Sequence, residues 1–432
     1  MERFIAILGM ATLVAMAWGL SENKKHFPLR LVLTGVALQI GMGLLLLHVP
    51  GVVDAFEFVA HLVNAVIISA DSGIEFVFGQ ELSDPSGPWG FVFAIRVLPV
   101  IIFFASLMAL LYHAGIMQRL IAGLAWLLRR SLGVTGTEAL VMASNVFVGQ
   151  TEAPLCVRPY LDRMTRSQWS TLMVGGFATI AGSVLVAYVG LLAGAGDENE
   201  PARLEIIKHL LTASVLSAPA AFVISKIIVP ETESPIDEGL KGGTSDDRAT
   251  NMLDAAAAGA SEGLRLSLNI GAMLIAFLAL LALINMPLTW LGTLEPIAPM
   301  LDRAGVETLD LQTILGWLFT PLAWLMSVPM SDAPFFGSLL GQKLILTELV
   351  AYVSLGEVLR DPESTALSAR SGHMAVYALC GFANFASIAI QIGGLTALAP
   401  TRRQTIVTLS LKAMIGGALA SWMTACVAGL VL

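Results

Sequence analysis

Long apolar stretches separated by short polar segments run through the whole chain. A helix needs about 20 residues to cross the hydrocarbon core of a bilayer. Eight stretches approach or exceed that length, namely residues 4–20, 29–48, 89–115, 168–193, 206–229, 264–285, 373–395 and 406–431. The pattern predicts an all-α polytopic membrane protein with eight transmembrane helices.

The first stretch has two interpretations. Residues 4–20 are similar to the apolar part of a signal peptide, but only Arg3, opposed by Glu2, precedes them, and no clear cleavage site follows. We interpret the stretch as a first span and keep a cleaved signal peptide as the alternative. Lys24 and Lys25 then place the next loop in the cytoplasm, because cytoplasmic loops carry an excess of lysine and arginine.

Three other apolar segments carry charged or polar residues at helical spacing, which is typical of helices that lie along a membrane surface. Residues 53–79 are interrupted by acidic side chains, and residues 116–133 carry three arginines. Residues 309–326 form an amphipathic pattern that matches the one at 116–133. We expect three interfacial helices from these segments.

Two segments have the features of hairpins that enter the membrane and return. Residues 138–148 supply about half the length of a span, and Gly149 and Pro154 then break the helix. A second such segment runs from about 328 to 359, with Glu348 near its turn. The flanking charges place the feet of the two hairpins on opposite sides of the membrane. The alternative for the first hairpin is an ordinary surface loop.

Short matches between the two halves of the chain favour an internal repeat. Leu-Ala-Trp at 124–126 and at 322–324 precedes a Thr-Glu pair by nearly the same number of residues. Residues 176–181 (GFATIA) match residues 381–386 (GFANFA) at four of six positions. Weak internal symmetry around interrupted apolar segments is typical of inverted repeats that build a midplane binding site in a secondary transporter.

The composition supports a membrane protein and excludes several other classes. The 432 residues are 56% hydrophobic and 13% charged, whereas soluble domains carry about 25% charged residues. The net charge is −8 and the basic residues are dispersed, so we expect no nucleic-acid partner. Three cysteines and six histidines are also scattered, so no disulfide framework, cofactor or metal-centred enzyme is predicted.

Three motifs resemble the signature stretches of the concentrative nucleoside transporters, in particular the bacterial, sodium-coupled type. They are residues 149–155 (GQTEAPL), 343–352 (KLILTELVAY) and 380–392 (CGFANFASIAIQI). The resemblance covers roughly residues 85–430. The chain departs from the family in the second motif, which commonly reads N-E-F-V-A-Y, because Thr347 and Leu349 flank Glu348 here.

The resemblance implies a set of residues that bind a nucleoside. The residues at the nucleobase are Gln150, Thr151 and Glu152, with Val184 as an apolar wall; those at the ribose are Glu348, Asn384 and Ser387, with Phe382 nearby. Amide, hydroxyl and carboxylate groups with apolar walls suit a flat base joined to a sugar. Each group also has an alternative role in the structure alone. Glu152 and Glu348 would be structural acids, Asn384 and Ser387 would link helices, and Gln150 and Thr151 would cap the broken helix.

The resemblance also implies a sodium site. Its ligands are the side chain of Asn145, the backbone of Val148, Thr179, and the backbone of Ile180. These groups are oxygen donors, which hard cations prefer. The alternative is that Asn145 only caps a helix. Further implications are a homotrimer in the inner membrane and an elevator motion of one domain against a scaffold.

The domain division follows from the repeats and the resemblance. It comprises residues 1–115 (scaffold), 116–229 (first repeat with its hairpin, transport domain), 230–263 (cytoplasmic linker), 264–308 (sixth span and outer loop, scaffold) and 309–432 (second repeat, an interfacial helix and then transport domain). The function predicted from the sequence is nucleoside import coupled to the sodium gradient. The alternatives are a proton-coupled nucleoside symporter, in which Glu152 or Glu348 takes the proton, and an intramembrane hydrolase.

Overall fold

The computed structural model describes residues 2–84, 88–90, 92–194, 199–235, 237, 239, 249–304, 306, 308–361 and 363–432. Within these ranges the regular structure is helical, without a β-strand. The first eleven α-helices are α1 (Glu2–Gly19), α2 (Leu29–His48), α3 (Pro50–Phe78), α4 (Gln80–Ser83), α5 (Phe93–Arg96), α6 (Leu98–His113), α7 (Ile116–Leu132), α8 (Gly136–Asn145), α9 (Arg166–Ala178), α10 (Gly182–Ala193) and α11 (Glu200–Ile228). The others are α12 (Met252–Gly292), α13 (Ala298–Ala304), α14 (Leu311–Leu325), α15 (Ala333–Ile345), α16 (Glu348–Arg360), α17 (Ala369–Leu379), α18 (Phe385–Leu398) and α19 (Arg403–Val431).

The same order of elements occurs twice. An amphipathic helix is followed by a helix–turn–helix unit, a helix broken in the middle, and a long helix: first α7 to α11, and then α14 to α19. The returning limb of the first unit is a 3₁₀ helix at Ala153–Arg163, whose two prolines, Pro154 and Pro159, lack the N–H that an α-helix needs. The repeat predicted from the sequence is therefore present in the order of elements. The inverted arrangement and the re-entry of the hairpins remain predictions.

Seven helical stretches of the described chain are long and apolar enough to cross a membrane. Six of them coincide with predicted spans. The seventh, Pro50–Phe78, is the segment predicted to lie along the membrane surface, and its 29 residues are also sufficient for a crossing. Two predicted spans are not among these seven stretches. The span predicted at residues 4–20 is the 18-residue helix α1, and the span predicted at residues 373–395 is divided into α17 and α18. The count of eight spans therefore remains a prediction.

One expectation at the sixth predicted span is wrong. The outer loop expected after residue 285 begins later, because α12 continues through Pro287 to Gly292, and the same helix of 41 residues includes residues 252–263 of the predicted linker. Such a helix is about 60 Å long, twice the thickness of the hydrocarbon core. The apolar residues on both sides of Pro287 continue the helix despite the one hydrogen bond that proline removes. Residues 197 and 198, between the fourth and fifth predicted spans, and much of the linker, including residues 240–248, lie outside the described residues. Glu200 begins α11.

Three helical stretches form the interior of the chain, and Arg166–Ala193 among them carries predicted site residues. About nine-tenths of the apolar windows in Arg166–Ala193, Glu200–Ile228 and Pro400–Val431 are buried, whereas about one to two tenths of those that contain α2, α3, α6 and α12 are buried. Helices α9, α11, α17 and α19 pack against one another, and α10 packs on α16. Apolar helices at the surface are the arrangement expected of a protein surrounded by lipid.

Candidate functional site

Two helix breaks and two hairpin turns meet in the interior. The first turn comprises residues 146–152 and the second turn residues 346–347; the first break comprises residues 179–181 and the second break residues 380–384. The N–H of Gly182, just after the first break, donates to the carbonyl of Phe147 in the first turn (3.0 Å). Asn384, at the end of the second break, donates from Nδ2 to Oε2 of Glu348, just after the second turn (2.7 Å). Each turn therefore lies against one break, which leaves unpaired backbone groups next to polar side chains.

Just after the second turn, the buried carboxylate of Glu348 is surrounded by polar groups. Glu348 is 3% exposed, and its Oε1 accepts a hydrogen bond from the hydroxyl of Tyr188 (3.0 Å). Thr347 caps the N-terminus of α16 by accepting from the N–H of Val350 (3.3 Å). The positive end of a helix favours a nearby anion. Two neutral donors and a helix N-terminus therefore hold Glu348 as an acceptor that still has lone pairs free for a ligand.

Asn384 and Ser387 lie together because Asn384 caps a helix. Asn384 does not lie within a helix; it caps the N-terminus of α18, and its Oδ1 accepts from the N–H of Ser387 (2.8 Å). Both residues are buried. The amide of Asn384 thus bridges the second break and Glu348, which fixes two hydrogen-bonding groups side by side.

The first turn carries the three predicted residues Gln150, Thr151 and Glu152. The first two lie against α18, and the third is exposed. Gln150 accepts at Oε1 from Nε2 of Gln391 (3.2 Å), so it links two elements and does not cap α8. Thr151 is half-buried, and a Cβ placed on Gly394 would lie 2.7 Å from its methyl group. Glu152 is exposed, and its Oε2 accepts from the N–H of Gly149 (3.1 Å). The described residues of the second turn form no hydrogen bond with these three.

The two predicted apolar residues occupy different depths. Val184 is buried on α10, one helical turn before Tyr188 and therefore on the same face. The ring of Tyr188 packs on that of Tyr352, with ring centroids 4.3 Å apart. Phe382 is half-buried within the second break. The aromatic pair and Val184 form an apolar wall beside Glu348.

Sequence reasoning missed three polar residues of this region, which are Tyr188, Gln391 and Lys343. Lys343 is fully buried, and its Nζ donates to the carbonyls of Ala378 (2.9 Å) and Cys380 (3.4 Å), which the second break releases. A lone lysine in an apolar helix is functional by default in a membrane protein, and this signal was available in the sequence. Its position indicates that it holds the broken helix open.

Asn145 is the most unusual polar residue near the first break. It is 1% exposed, yet neither its Oδ1 nor its Nδ2 has a hydrogen-bond partner among the described residues. The side chain therefore caps nothing, and the interpretation of Asn145 as a helix cap is wrong. Because buried polar groups are nearly always paired, the amide of Asn145 is available to a further group.

The other three predicted sodium ligands lie around the same place. A Cβ on Gly175 would lie 3.2 Å from Nδ2 of Asn145, and the hydroxyl of Thr179 donates to the carbonyl of Gly175 (2.9 Å). Ile180 is buried in the first break, and Val148 is half-buried in the first turn. The arrangement brings an unpaired amide, a hydroxyl and two stretches of non-helical backbone to one region.

Three family models match the chain. The family model described as Na⁺ dependent nucleoside transporter C-terminus matches residues 209–429, and the corresponding N-terminus model matches residues 8–81. A third model, described as Gate, nucleoside recognition, matches residues 94–195. Together these models cover both repeats.

Similar proteins include one of Haemophilus influenzae described as an uncharacterized transporter, which is 43% identical over 98% of this chain and 97% of its own length. Mouse sodium/nucleoside cotransporter 1 is 38% identical over 99% of this chain, which spans 64% of the mouse protein. The solved structure of CNTnw in an inward-facing, substrate-bound state has a TM-score of 0.87 at 41% identity and covers 100% of this chain and 98% of that one.

The extent of these matches decides the classification. One family model covers more than half of the chain, and the bacterial relative matches along nearly its whole length. The matched proteins are transporters, so the intramembrane hydrolase alternative is wrong. The chain is a multi-pass membrane transporter that belongs to the concentrative nucleoside transporter family.

Proposed function

We propose that the protein imports nucleosides across the inner membrane together with Na⁺. The observation that carries this proposal is the buried carboxylate of Glu348, held by Tyr188 and Asn384 where two turns and two breaks meet. A carboxylate accepts hydrogen bonds only, so a ligand at this place has to be a donor. The vicinal hydroxyls of a ribose are such donors, and Asn384 and Ser387 lie beside the carboxylate to receive them.

The other end of the substrate would lie at the first turn. Gln150, Thr151 and Glu152 offer an amide, a hydroxyl and a carboxylate, which complement the mixed donors and acceptors of a nucleobase edge. Glu152 and Thr151 are accessible in this conformation, while Gln150 is held by Gln391. Val184 and Phe382 would supply the apolar contacts for the faces of the base and sugar.

Sodium would bind at Asn145, Thr179 and the backbone of Val148 and Ile180. The unpaired amide of Asn145 supports this assignment, since a cation would complete its coordination. One Na⁺ that moves down a potential of 100 mV releases about 2.3 kcal/mol. A tenfold gradient adds about 1.4 kcal/mol, which together is enough for accumulation of several hundred-fold.

Two further features of the proposal concern the whole protein. The site helices are bonded to one another across the repeats, through Tyr188 with Glu348 and Gln391 with Gln150, which supports their movement as one transport domain. The exposed helices α6 and α12 would belong to the scaffold that stays in place. An elevator motion of the first against the second, within a homotrimer, is the mechanism we propose.

Uptake into proteoliposomes tests the function. Radiolabelled uridine and adenosine are supplied with an inward Na⁺ gradient, with no Na⁺ gradient, and with acid outside in the absence of Na⁺. We expect accumulation only with the Na⁺ gradient, with chemically unchanged nucleoside recovered from the vesicles. Uptake that ignores Na⁺ and follows the proton gradient would instead establish the proton-coupled alternative.

A further inference from the structure

We propose a second cation site, for a divalent transition metal such as Zn²⁺, formed by Glu205 and His209 on α11 and by His373 on α17. One carboxylate and two imidazoles are a common ligand set for this ion. One ligand atom from each of the three residues lies within 4.8 Å of the others. The site is distinct from the proposed sodium site, whose ligands are oxygen atoms of Asn145, Val148, Thr179 and Ile180.

One distance already fits a metal, and the other two require His373 and Glu205 to move relative to His209. Nε2 of His373 is 3.2 Å from Oε1 of Glu205. In a tetrahedral zinc site with bonds of about 2.0 to 2.2 Å, neighbouring ligand atoms are about 3.4 Å apart. This pair is therefore already at the separation that one ion would impose on it. The third ligand, His209, has to approach by a small rotation of one of the rings.

His209 is held in place by an outer partner. It is buried, and its Nδ1 lies 2.9 Å from the hydroxyl of Tyr377 on α17. Metal-bound histidines usually use their other nitrogen in this way, because the second hydrogen bond fixes the tautomer and the ring orientation. The hydrogen bond to Tyr377 leaves Nε2 of His209 for the metal.

The other two ligands are able to adjust. The rings of His209 and His373 are stacked, with centroids 4.4 Å apart and an angle of 30° between their planes. In-plane lone pairs of stacked rings do not meet at one point, so His373 has to swing outward for both to bind. His373 is half-buried and Glu205 is exposed, so this movement displaces little of the packed interior.

A groove with polar walls borders the proposed site at Glu205. It has a volume of about 270 Å³ and is lined by Glu205 and by Glu57, His61 and Lys208, of which Lys208 pairs with Glu57 (2.9 Å). Water from the groove would complete the tetrahedron. Imidazole with carboxylate favours Zn²⁺ over Mg²⁺ and Ca²⁺, which prefer oxygen alone. A bound ion would connect α11 of the first repeat to α17 of the second.

Titration of the purified full-length protein, free of any histidine tag, tests the site. Co²⁺ serves as the spectroscopic probe, because four-coordinate Co²⁺ absorbs visible light much more strongly than the hydrated ion, and Zn²⁺ as the competitor. We expect one strongly absorbing Co²⁺ per chain, displaced by Zn²⁺ and unaffected by excess Mg²⁺. His373→Gln and Glu205→Gln should each weaken binding at least tenfold, and Tyr377→Phe should weaken it less.

Two comparisons keep the result clear. His61→Gln, in the same groove but outside the ligand set, should bind Co²⁺ like the parent. The unfolding temperature of metal-free His373→Gln has to equal that of the metal-free parent before their Co²⁺ binding is compared. This criterion ensures that misfolding is not mistaken for a lost ligand. A parent without strong Co²⁺ absorption, or a His373→Gln protein that binds like the parent, would show that the two histidines and Glu205 are only a structural link.

Discussion

The amide of Asn384 donates to the carboxylate of Glu348 across 2.7 Å, and this bond ties the start of α18 to the start of α16. Both residues are buried, and both lie at helix N-termini that begin after a break or a turn. The partner positions are 36 residues apart. A ligand that donates to Glu348 therefore also contacts Asn384, and substitution of either residue should change the affinity for the substrate.

Replacement of Glu348 by glutamine tests its role as an acceptor. Glu348→Gln keeps the size but removes the negative charge, and hydrogen bonds to a charged group are worth about 1.5 to 3 kcal/mol. We expect affinity for uridine to fall at least tenfold, measured by calorimetry on the purified protein. Glu357→Gln, an exposed position on the same helix, is the control and should bind like the parent. Unchanged affinity in Glu348→Gln would rule out the ribose assignment.

Removal of one hydroxyl tests the support of that carboxylate. Tyr188→Phe keeps the ring against Tyr352 but removes the donor to Glu348 (3.0 Å). A typical hydrogen bond contributes about 0.5 to 1.5 kcal/mol. We therefore expect uridine affinity to fall by roughly two- to tenfold, a smaller loss than in Glu348→Gln. In the double variant the effect of Tyr188→Phe should largely disappear. Fully additive effects would show that Tyr188 acts on the substrate independently of Glu348.

The sequence indicated the repeat and the turns because both leave local marks. Gly149 and Pro154 interrupt an apolar run, and a Thr-Glu pair stands at each turn. The breaks leave weaker marks. The matching Gly-Phe-Ala triplets are not equivalent in the structure: the first, 176–178, ends α9, while the second, 381–383, lies within the second break. Sequence similarity therefore located the region without giving its local structure.

Long-range partners explain most of what the sequence did not predict. Tyr188 and Glu348 are 160 residues apart, and Gln391 and Gln150 are 241 apart. Tyr188 and Gln391 each appear in the sequence as an isolated polar residue within an apolar helix, and helical periodicity does not identify their partners. Asn145 is the opposite case, because its unusual feature is the lack of a partner, which only the folded chain reveals.

Backbone geometry at the second break gives a third prediction. Gly381 has φ +124°, and a Cβ there would lie 2.7 Å from the carbonyl oxygen of Phe177. Alanine strongly disfavours this conformation, so Gly381→Ala should destabilise the protein by roughly 1 to 3 kcal/mol and lower its unfolding temperature. Gly393→Ala, within α18 with open space around the position, should be neutral or slightly stabilising. Equal unfolding temperatures for the two variants would contradict the strain assigned to Gly381.

A charged cluster outside the spans gives a prediction about pH. The guanidinium of Arg166 donates twice to Glu22 (2.8 Å each) and holds the pKa of that carboxyl at about 2, against 4.5 ordinarily. A lowered pKa means that the contribution to stability is complete above pH 4.5 and disappears as the pH falls towards about 2. The unfolding temperature of Glu22→Gln should thus be below that of the parent at pH 7, and the two should converge on acidification.

The control for this prediction is Glu233→Gln, which removes an exposed carboxylate from the start of the linker. Its unfolding temperature should follow that of the parent at every pH. A gap between the parent and Glu22→Gln that stays constant from pH 7 to pH 3 would show that the effect comes from lost packing and not from the charge of Glu22.

The last prediction concerns coupling to sodium. Asn145→Ser shortens the side chain, so that its oxygen no longer reaches a cation held by the backbone of Val148 and Ile180. Because the side chain of Asn145 has no hydrogen-bond partner among the described residues, its shortening removes no structural bond, and the fold should survive. The Na⁺ concentration for half-maximal uridine uptake in proteoliposomes should rise at least tenfold, or uptake should lose its dependence on Na⁺.

A matched substitution shows whether an exchange of asparagine for serine alters Na⁺ activation at a position that binds no cation. Asn251 does cap a helix, α12, by accepting from the N–H of Asp254 (3.0 Å), and serine is an equally good cap, so Asn251→Ser should leave the Na⁺ curve unchanged. Since linkage between two bound ligands is reciprocal, saturating uridine should also raise Na⁺ affinity in the parent and do so less in Asn145→Ser. An Asn145→Ser protein whose Na⁺ activation overlays that of the parent would place the coupling ion elsewhere and favour the proton-coupled alternative.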